Sequence, residues 1–207
     1  MIPVTPQPEP LEFDANVRRP GLAFLKRVPA PKSRNFERHW RQCHRQLHAA
    51  YSGICAYSAR WIPYPSSGPD RSSIDHFIPK THSPKLAYEW DNYRLASARL
   101  NENKADSDKI VDPFWIKNGW FVLDFATYRT KPGSDLHTYL EVRVRETIDQ
   151  LDLNHNDFIN QRIAVVQAYC DDLFPFTHLE GRYPFIAYEL KRQGLETQIK
   201  TMVRSKT

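Results

Sequence analysis

The sequence has few cysteines and no long apolar run, and each scarcity excludes a class of protein. The three cysteines, Cys43, Cys55 and Cys170, stand singly, a spacing that fits neither a disulfide framework nor a CxxC metal knuckle. We expect reduced thiols. No stretch approaches the roughly 18 apolar residues that cross a bilayer, and the N-terminus lacks the charged start and apolar segment of a signal peptide. The sequence therefore predicts a cytoplasmic protein without membrane contact.

The composition is that of a globular protein with a basic charge balance. With 207 residues, of which 41% are hydrophobic, the chain is long enough to bury a core. Lysine and arginine together number 29 against 24 acidic residues, which gives a net charge of +5. A positive balance favours polyanionic partners but does not identify one.

The first 34 residues are predicted to form a basic, proline-rich arm. This segment contains seven of the sixteen prolines, and proline removes a backbone donor and blocks helix interiors. We therefore expect an extended arm without a regular helix, ordered where its few apolar residues reach a core.

A helix is predicted over residues 33–51. Its apolar positions recur at alternating spacings of four and three, which is helical periodicity. Four arginines follow the same rhythm on the opposite face, and we call them the arginine stripe: Arg34, Arg38, Arg41 and Arg45. The stripe is either a phosphate-binding surface or an ordinary solvated face.

The order predicted next is strand, strand, helix. Two extended segments, 54–63 and 71–78, are expected to pair as a hairpin through the turn-rich residues 64–70. A connection over residues 79–91 then leads to a helix predicted at 92–106. Further along, Asn118-Gly119 predicts a tight type I′ turn in a second hairpin over residues 114–125. Two or three closing helices are predicted, at about 135–151, 156–173 and 184–203.

One segment carries a recognisable pattern of reactive side chains. Asp75 and His76 are adjacent at the end of a predicted strand, Asn92 follows sixteen residues after the histidine, and Asn101-Glu-Asn-Lys104 lies beyond it. This order resembles the motif of HNH (ββα-metal) endonucleases. The resemblance implies an Asp-His pair on the second strand of a hairpin, a middle asparagine in the connection and a last ligand on the helix. The expected fold class is therefore α+β with a ββα-metal core.

The resemblance also implies a role for each of these residues. His76 is expected to be the general base, because an imidazole can take a proton from water near neutral pH. Asp75 and Asn101 match the ligands of one divalent cation, and their hard oxygen atoms favour Mg²⁺ or Mn²⁺. Asn92 is expected to hold the loop that carries the histidine. Lys104, one helical turn beyond Asn101, is expected to reach the same phosphate.

Strand geometry places a condition on this prediction. Successive strand residues point to opposite faces, so Asp75 and His76 can serve one phosphate only if the strand ends or bends there. Pro79, three residues later, favours such an ending.

The resemblance is specific over residues 55–113. His76-Phe-x-Pro-Lys80, Leu86-Ala-Tyr-Glu-Trp-x-Asn92 and Leu151-x-Leu-Asn154 are similar to the HNH subunits of bacterial anti-phage systems of the Septu and retron kind. That similarity implies an ATPase partner protein. The chain is thus predicted to have three regions: an arm (1–34), a nuclease core (35–112) and a C-terminal hairpin and helical region (113–207).

One departure from the family concerns zinc. Many HNH proteins hold a structural zinc between two CxxC knuckles, and the matching segments here are Cys55-Ala-Tyr-Ser58 and Ala96-Ser-Ala-Arg99. Only one of four ligands is present, and a tetrahedral site needs four. We therefore predict that structural zinc is absent.

The expected substrate is DNA, contacted by the arginine stripe and by Lys80, His82 and Lys85 in the connection. Two alternatives stay open. One is an RNA nuclease, including one that acts on tRNA, because the centre binds a phosphate and not a sugar. The other is a nucleic-acid-binding or assembly subunit without catalysis, against which the intact Asp75, His76, Asn92 and Asn101 argue.

Overall fold

The computed structural model describes residues 1–64 and 67–204 of the chain, and these residues form an α+β fold. The described ranges contain eight α-helices and two two-stranded antiparallel sheets, and none of the helices is both long and apolar enough to cross a membrane. The strands are β1 (Ser72–His76), β2 (Tyr93–Ser97), β3 (Phe121–Asp124) and β4 (Arg129–Pro132). The helices are α1 (Arg19–Arg27), α2 (His44–Ala50), α3 (Ala98–Lys104), α4 (Thr138–Gln150), α5 (Asn156–Cys170), α6 (Phe176–Arg182), α7 (Pro184–Arg192) and α8 (Gln198–Arg204).

The first sheet consists of β1 and β2, and α3 follows β2 directly. The two strands are antiparallel, with Ser72 opposite Ser97 and His76 opposite Tyr93. Ser97 ends β2 and caps α3, because its side chain accepts a hydrogen bond from the backbone of Leu100. A long link, residues 77–92, joins the strands; we call it the β1–β2 connection.

A strand, a strand and a helix do follow one another as β1, β2 and α3, but not in the predicted segments, and Asp75 and His76 lie on the first strand of the pair and not on the second. Residues 54–63 contribute only the isolated bridge between Ile54 and Trp61. The helix predicted from residue 92 begins at Ala98, because residues 93–97 are β2. All five β2 residues are buried, and a strand buried on both faces lacks the alternation that would distinguish it from a helix. The predicted turn at 64–70 lies partly outside the described residues.

The second sheet is a hairpin, although its turn was predicted at the wrong place. Strands β3 and β4 pair with Phe121 opposite Pro132 and Asp124 opposite Arg129. Asn118 and Gly119 do form a turn, with Trp120 bonded back to Lys117 at 3.2 Å, but this turn precedes β3. In the described chain only Gly119 of the pair has positive φ, 83°, whereas a type I′ turn needs two such residues.

The N-terminal region is more regular than predicted. Residues Asp14–Arg18 form one π-helical turn that continues into α1, so the expectation of an arm without a regular helix is wrong. Four prolines precede residue 11, and Pro20 lies in the first turn of α1. Pro20 directly follows the π-helical turn, so it interrupts the backbone hydrogen bonding of a continuous helical segment without ending it.

The helix predicted over residues 33–51 is broken. Short 3₁₀ turns at Ser33–Asn35 and His39–Cys43 precede α2, and Phe36 between them is extended, with ψ 131°. The Phe36 ring is buried near Phe24, at 6.2 Å between ring centroids. The arginine stripe is therefore not one continuous helical face, although all four of its arginines are exposed.

The C-terminal helices agree well with the predicted periodicity. Helices α4 and α5 match the first two predicted spans, and the third is divided into α7 and α8 at Gly194, which has a φ of 68°. The short α6 was not predicted. One apolar core contains residues from all three predicted segments, among them Phe24, Leu95 and Leu190.

Candidate active site

A polar cleft of about 140 Å³ lies where β1 ends beside α3. Its walls include Asp75, His76 and Asn101, together with Trp40, Lys80 and Asp106. Asp75 and His76 both face this space because β1 ends at His76. The structure thus brings together the three residues in which the sequence placed the catalytic core.

His76 is held in one neutral form. Its Nε2 lies 3.0 Å from the backbone oxygen of Ala87, and since a carbonyl can only accept, Nε2 carries the hydrogen and Nδ1 keeps the lone pair. The rings of Trp40 and Tyr93 contact the imidazole edge-on, at centroid distances of 4.7 and 5.2 Å. Burial, with a smaller effect from the positive Lys80, lowers the pKa of His76 to about 3. The ring is therefore uncharged near neutral pH.

Asp75 is 2% exposed, and each of its carboxylate oxygens has a partner. Oδ1 is 3.2 Å from the ammonium of Lys104, and Oδ2 accepts a hydrogen bond from the Tyr57 hydroxyl. Burial raises the pKa of Asp75, while the positive charge of Lys104 and the bond from Tyr57 oppose that rise.

Lys104 does not occupy the place that the sequence suggested. Its side chain is 0% exposed and its ammonium donates to the backbone oxygen of His76 at 3.0 Å, besides its ion pair with Asp75. Both of these partners lie in the interior, and Lys104 is not among the residues that line the cleft. This placement corrects the expectation that Lys104 contacts the substrate.

The two asparagines occupy different positions around the cleft. The Asn101 amide nitrogen donates to Ser73 Oγ at 3.2 Å and to the Ile74 carbonyl at 3.3 Å, and within the described residues its Oδ1 accepts no hydrogen bond. The Asn92 amide accepts from the Ile78 nitrogen at 2.8 Å and donates to the carbonyls of Ile78 and Leu86 at 3.0 Å. Asn92 thereby joins both ends of the β1–β2 connection, which also supplies the Ala87 carbonyl to His76.

The donors in the cleft fit a hydrated hard cation. Asp75 and Asn101 offer a carboxylate and an amide oxygen, and Mg²⁺ usually keeps several waters and takes only one or two carboxylates. Across residues 1–64 and 67–204, no group of three or more His, Cys, Asp or Glu is placed to hold a metal, so the described residues offer no closed site of the zinc type. Asp106, an exposed carboxylate that accepts from Thr81 at 3.1 Å, lines the same cleft.

The positive side chains predicted to bind nucleic acid differ in their distance from the cleft. Lys80 lines it, with its ammonium 5.9 Å from the ring centroids of both Phe36 and Trp40. His82 and Lys85 are exposed on the β1–β2 connection and are not among the cleft-lining residues. The arginine stripe is exposed, and Arg41 follows Trp40 in the same 3₁₀ turn.

Two residues near the centre received no functional role from the sequence. Trp40 lines the cleft and packs against His76. Tyr57 belongs to the Cys55-Ala-Tyr-Ser58 segment, which was considered only for metal ligands. No local pattern signals that Tyr57 meets Asp75, because the contact joins separate parts of the chain.

The two segments that the sequence analysis compared with zinc knuckles contact each other directly. The backbone nitrogen of Ser97 donates to the Cys55 sulfur at 3.4 Å, and the nitrogen of Ala56 donates to the Leu95 carbonyl at 2.8 Å. Cys55 and Tyr57 are fully buried there. Packing and hydrogen bonding thus join segments that a metal holds together in many HNH proteins.

Comparison with known proteins adds no relative to this description. No protein-family model matches the chain, and no curated protein sequence matches it. A function for the cleft has to be inferred from its side chains and their geometry.

Proposed function

We propose that this chain is a divalent-metal-dependent endonuclease of the HNH type that hydrolyses phosphodiester bonds in DNA. The observation that carries the proposal is the grouping of a neutral, oriented imidazole with a carboxylate and an amide in one cleft. His76, Asp75 and Asn101 supply these groups from the end of β1 and from α3. The order β1, β2, α3 supports a ββα-metal core.

Each of these groups suits one requirement of phosphodiester hydrolysis. A water must lose a proton as it attacks phosphorus, and His76 Nδ1 has the lone pair to take that proton. Asp75 and Asn101 would hold the cation, whose positive charge offsets the charge that develops on the phosphate and the leaving oxygen. Asn92 keeps the β1–β2 connection, and with it the Ala87 carbonyl that orients the base, in place.

The positive side chains around the cleft support a nucleic-acid substrate. Lys80 lines the cleft itself, and the exposed arginine stripe includes Arg41 beside the cleft-lining Trp40. DNA is the substrate that we propose, and RNA, including tRNA, is the alternative for the same centre. The resemblance to HNH subunits of Septu-type and retron-type systems extends the proposal to anti-phage defence beside an ATPase partner.

A direct assay tests this function. Purified protein, alone and with the product of the neighbouring gene, is incubated with plasmid, single-stranded DNA and tRNA in Mg²⁺ or Mn²⁺. We expect metal-dependent cleavage of DNA that disappears in the His76→Ala protein. Preferential cleavage of tRNA would select the RNA alternative. Binding without cleavage under every condition would instead assign the chain to a non-catalytic subunit.

A further inference from the structure

We propose that Tyr57 is a positioning residue that fixes the Asp75 carboxylate as a metal ligand. The inference rests on the proposed function, in which Asp75 holds the cation. Tyr57 is not expected to touch substrate or metal. It acts through its hydrogen bond to Asp75 Oδ2.

The first reason is that both oxygens of the Asp75 carboxylate are held by side chains in the protein interior. Tyr57 donates to Oδ2 from the segment around Cys55, and Lys104 contacts Oδ1 at 3.2 Å from the end of α3. Both side chains are fully buried. A rotation of the Asp75 carboxylate would break both contacts in a place where water cannot replace them.

The second reason is that the Asp75 carboxylate can accept further contacts beyond those with Tyr57 and Lys104. An ionised carboxylate can accept about four hydrogen bonds or equivalent contacts, and Tyr57 and Lys104 occupy one on each oxygen. Asp75 also lines the cleft beside Asn101. The acceptor sites that remain are those available to a cation, and their direction depends on the two buried partners.

The third reason is the link between ligand and base. The Lys104 ammonium that contacts Asp75 also donates to the His76 backbone oxygen at 3.0 Å. The imidazole is fixed at its other end by Ala87. Without the Tyr57 hydroxyl, the Asp75 carboxylate is held only by Lys104 and can tilt relative to His76.

Stability alone does not account for this group of side chains. A buried ion pair is often no more stabilising than apolar residues of similar volume. A carboxylate, a lysine and a tyrosine that share a closed interior position are therefore better explained by the chemistry of the adjacent cleft.

The test measures metal binding without nucleic acid. Mn²⁺ is titrated by isothermal calorimetry and by electron paramagnetic resonance into the wild type, Tyr57→Phe, Asp75→Asn and the matched control Tyr169→Phe. Tyr169 also donates a hydroxyl hydrogen bond, to the Glu196 carbonyl at 2.9 Å, but it lies on α5. Each titration is run well below the melting temperature of that variant.

We expect Tyr57→Phe to weaken Mn²⁺ binding roughly tenfold, the scale of losing one hydrogen bond to a charged group. Tyr169→Phe should bind like the wild type. In cleavage assays the Mn²⁺ concentration for half-maximal rate should rise in Tyr57→Phe while KM for nucleic acid is unchanged, and excess Mn²⁺ should restore the rate. A purely structural role would lower thermal stability without moving the Mn²⁺ affinity.

The two hypotheses fail in different ways. If Asp75→Asn loses Mn²⁺ binding and Tyr57→Phe keeps wild-type affinity, the positioning role is overturned and the metal site stands. If Asp75→Asn also binds Mn²⁺ as the wild type does, the metal site of the proposed function is itself wrong.

Discussion

Residues 1–64 and 67–204 include two deeply buried carboxylates, which have very different surroundings. Asp75 is 2% exposed and Glu189, on α7, is 0% exposed. Glu189 accepts hydrogen bonds from the Leu123 backbone nitrogen at 2.9 Å and from Gln193 at 2.8 Å, and it forms an ion pair with Arg192 at 2.8 Å. Its partners are the backbone of β3 and the next turn of its own helix. Asp75 is held by two side chains from distant segments and faces a cleft.

The difference teaches that burial and charge pairing do not by themselves mark a catalytic carboxylate. Glu189 joins α7 to β3, and no imidazole lies among its hydrogen-bond partners in the described chain. The cation that pairs with it, Arg192, is 36% exposed, so that charge remains hydrated, whereas Lys104 is completely buried beside Asp75. A functional carboxylate is distinguished by the reactive groups beside it and by an open side toward a cleft.

The largest effect on stability is expected when the Asp75 ion pair is broken. Lys104→Met leaves a buried carboxylate without its cation and should lower the free energy of unfolding by about 3 kcal/mol or more. The double variant Lys104→Met with Asp75→Asn should lose clearly less than the sum of the two single changes. Urea denaturation of the four proteins measures this coupling. Additive losses would mean that the two groups do not depend on each other.

The next effect concerns catalysis. His76→Ala, Asp75→Ala and Asn101→Ala should each reduce cleavage at least roughly a hundredfold, the usual scale for a positioned base or ligand. Higher Mn²⁺ should partly rescue the two ligand variants, because a weakened site fills by mass action, and should do nothing comparable for His76→Ala. A His76→Ala protein that still cleaves like the wild type beside its partner would place the nuclease centre elsewhere.

Glu189→Gln tests the other buried carboxylate, for which we expect a loss of stability but little change in cleavage. The amide keeps the size of the side chain but weakens the bonds to Leu123 and Arg192, so the free energy of unfolding should fall by about 1–2 kcal/mol. Cleavage measured well below the melting temperature should stay within about twofold of the wild type, because the site lacks a reactive neighbour. A selective loss of kcat with normal stability would remove the distinction between the two carboxylates.

The sequence predicted the composition of the cleft better than the fold around it. Asp75 and His76 are adjacent in sequence, and Asn101 lies in the middle of the short helix α3 that follows β2 directly. The strand that pairs with β1 was missed because the fully buried β2 has no alternating pattern. The helix α1 was missed because the prediction counted the prolines and not their positions: four precede residue 11, and Pro20 alone lies within the helical residues 14–27.

The contacts of Asp75 could not be predicted from a single sequence. Tyr57 and Lys104 reach it from separate segments, and only the folded chain determines which donors meet a buried carboxylate. The lysine spacing suggested a phosphate contact, but the side chain is directed to the interior. Glu189 illustrates the same point, since its hydrogen bond to β3 crosses 66 residues of chain.

A smaller effect is expected at the arginine stripe. Arg41 directly follows the cleft-lining Trp40 and Arg45 lies in α2, and replacing both with glutamine should weaken DNA binding equally on every sequence. The slope of log affinity against log salt should flatten by roughly one to two units. Arg143 and Arg145 on α4 serve as the matched double variant, because the same charge is lost elsewhere. Equal slopes in the two double variants would mean that the arginine stripe is an ordinary solvated face and does not bind phosphate.

The smallest effect on stability is expected from metal removal, which separates the proposed catalytic cation from a structural one. In the proposed function Asp75 and Asn101 would hold the cation weakly and with several waters, whereas the segments at Cys55 and Ser97 are joined by a hydrogen bond and packing. A chelator should therefore abolish cleavage yet leave the melting temperature almost unchanged, because no metal contributes folding energy. Purified protein should carry far less than one zinc per chain by elemental analysis. One tightly held zinc, with a fall in melting temperature on its removal, would contradict this and require ligands outside the cleft.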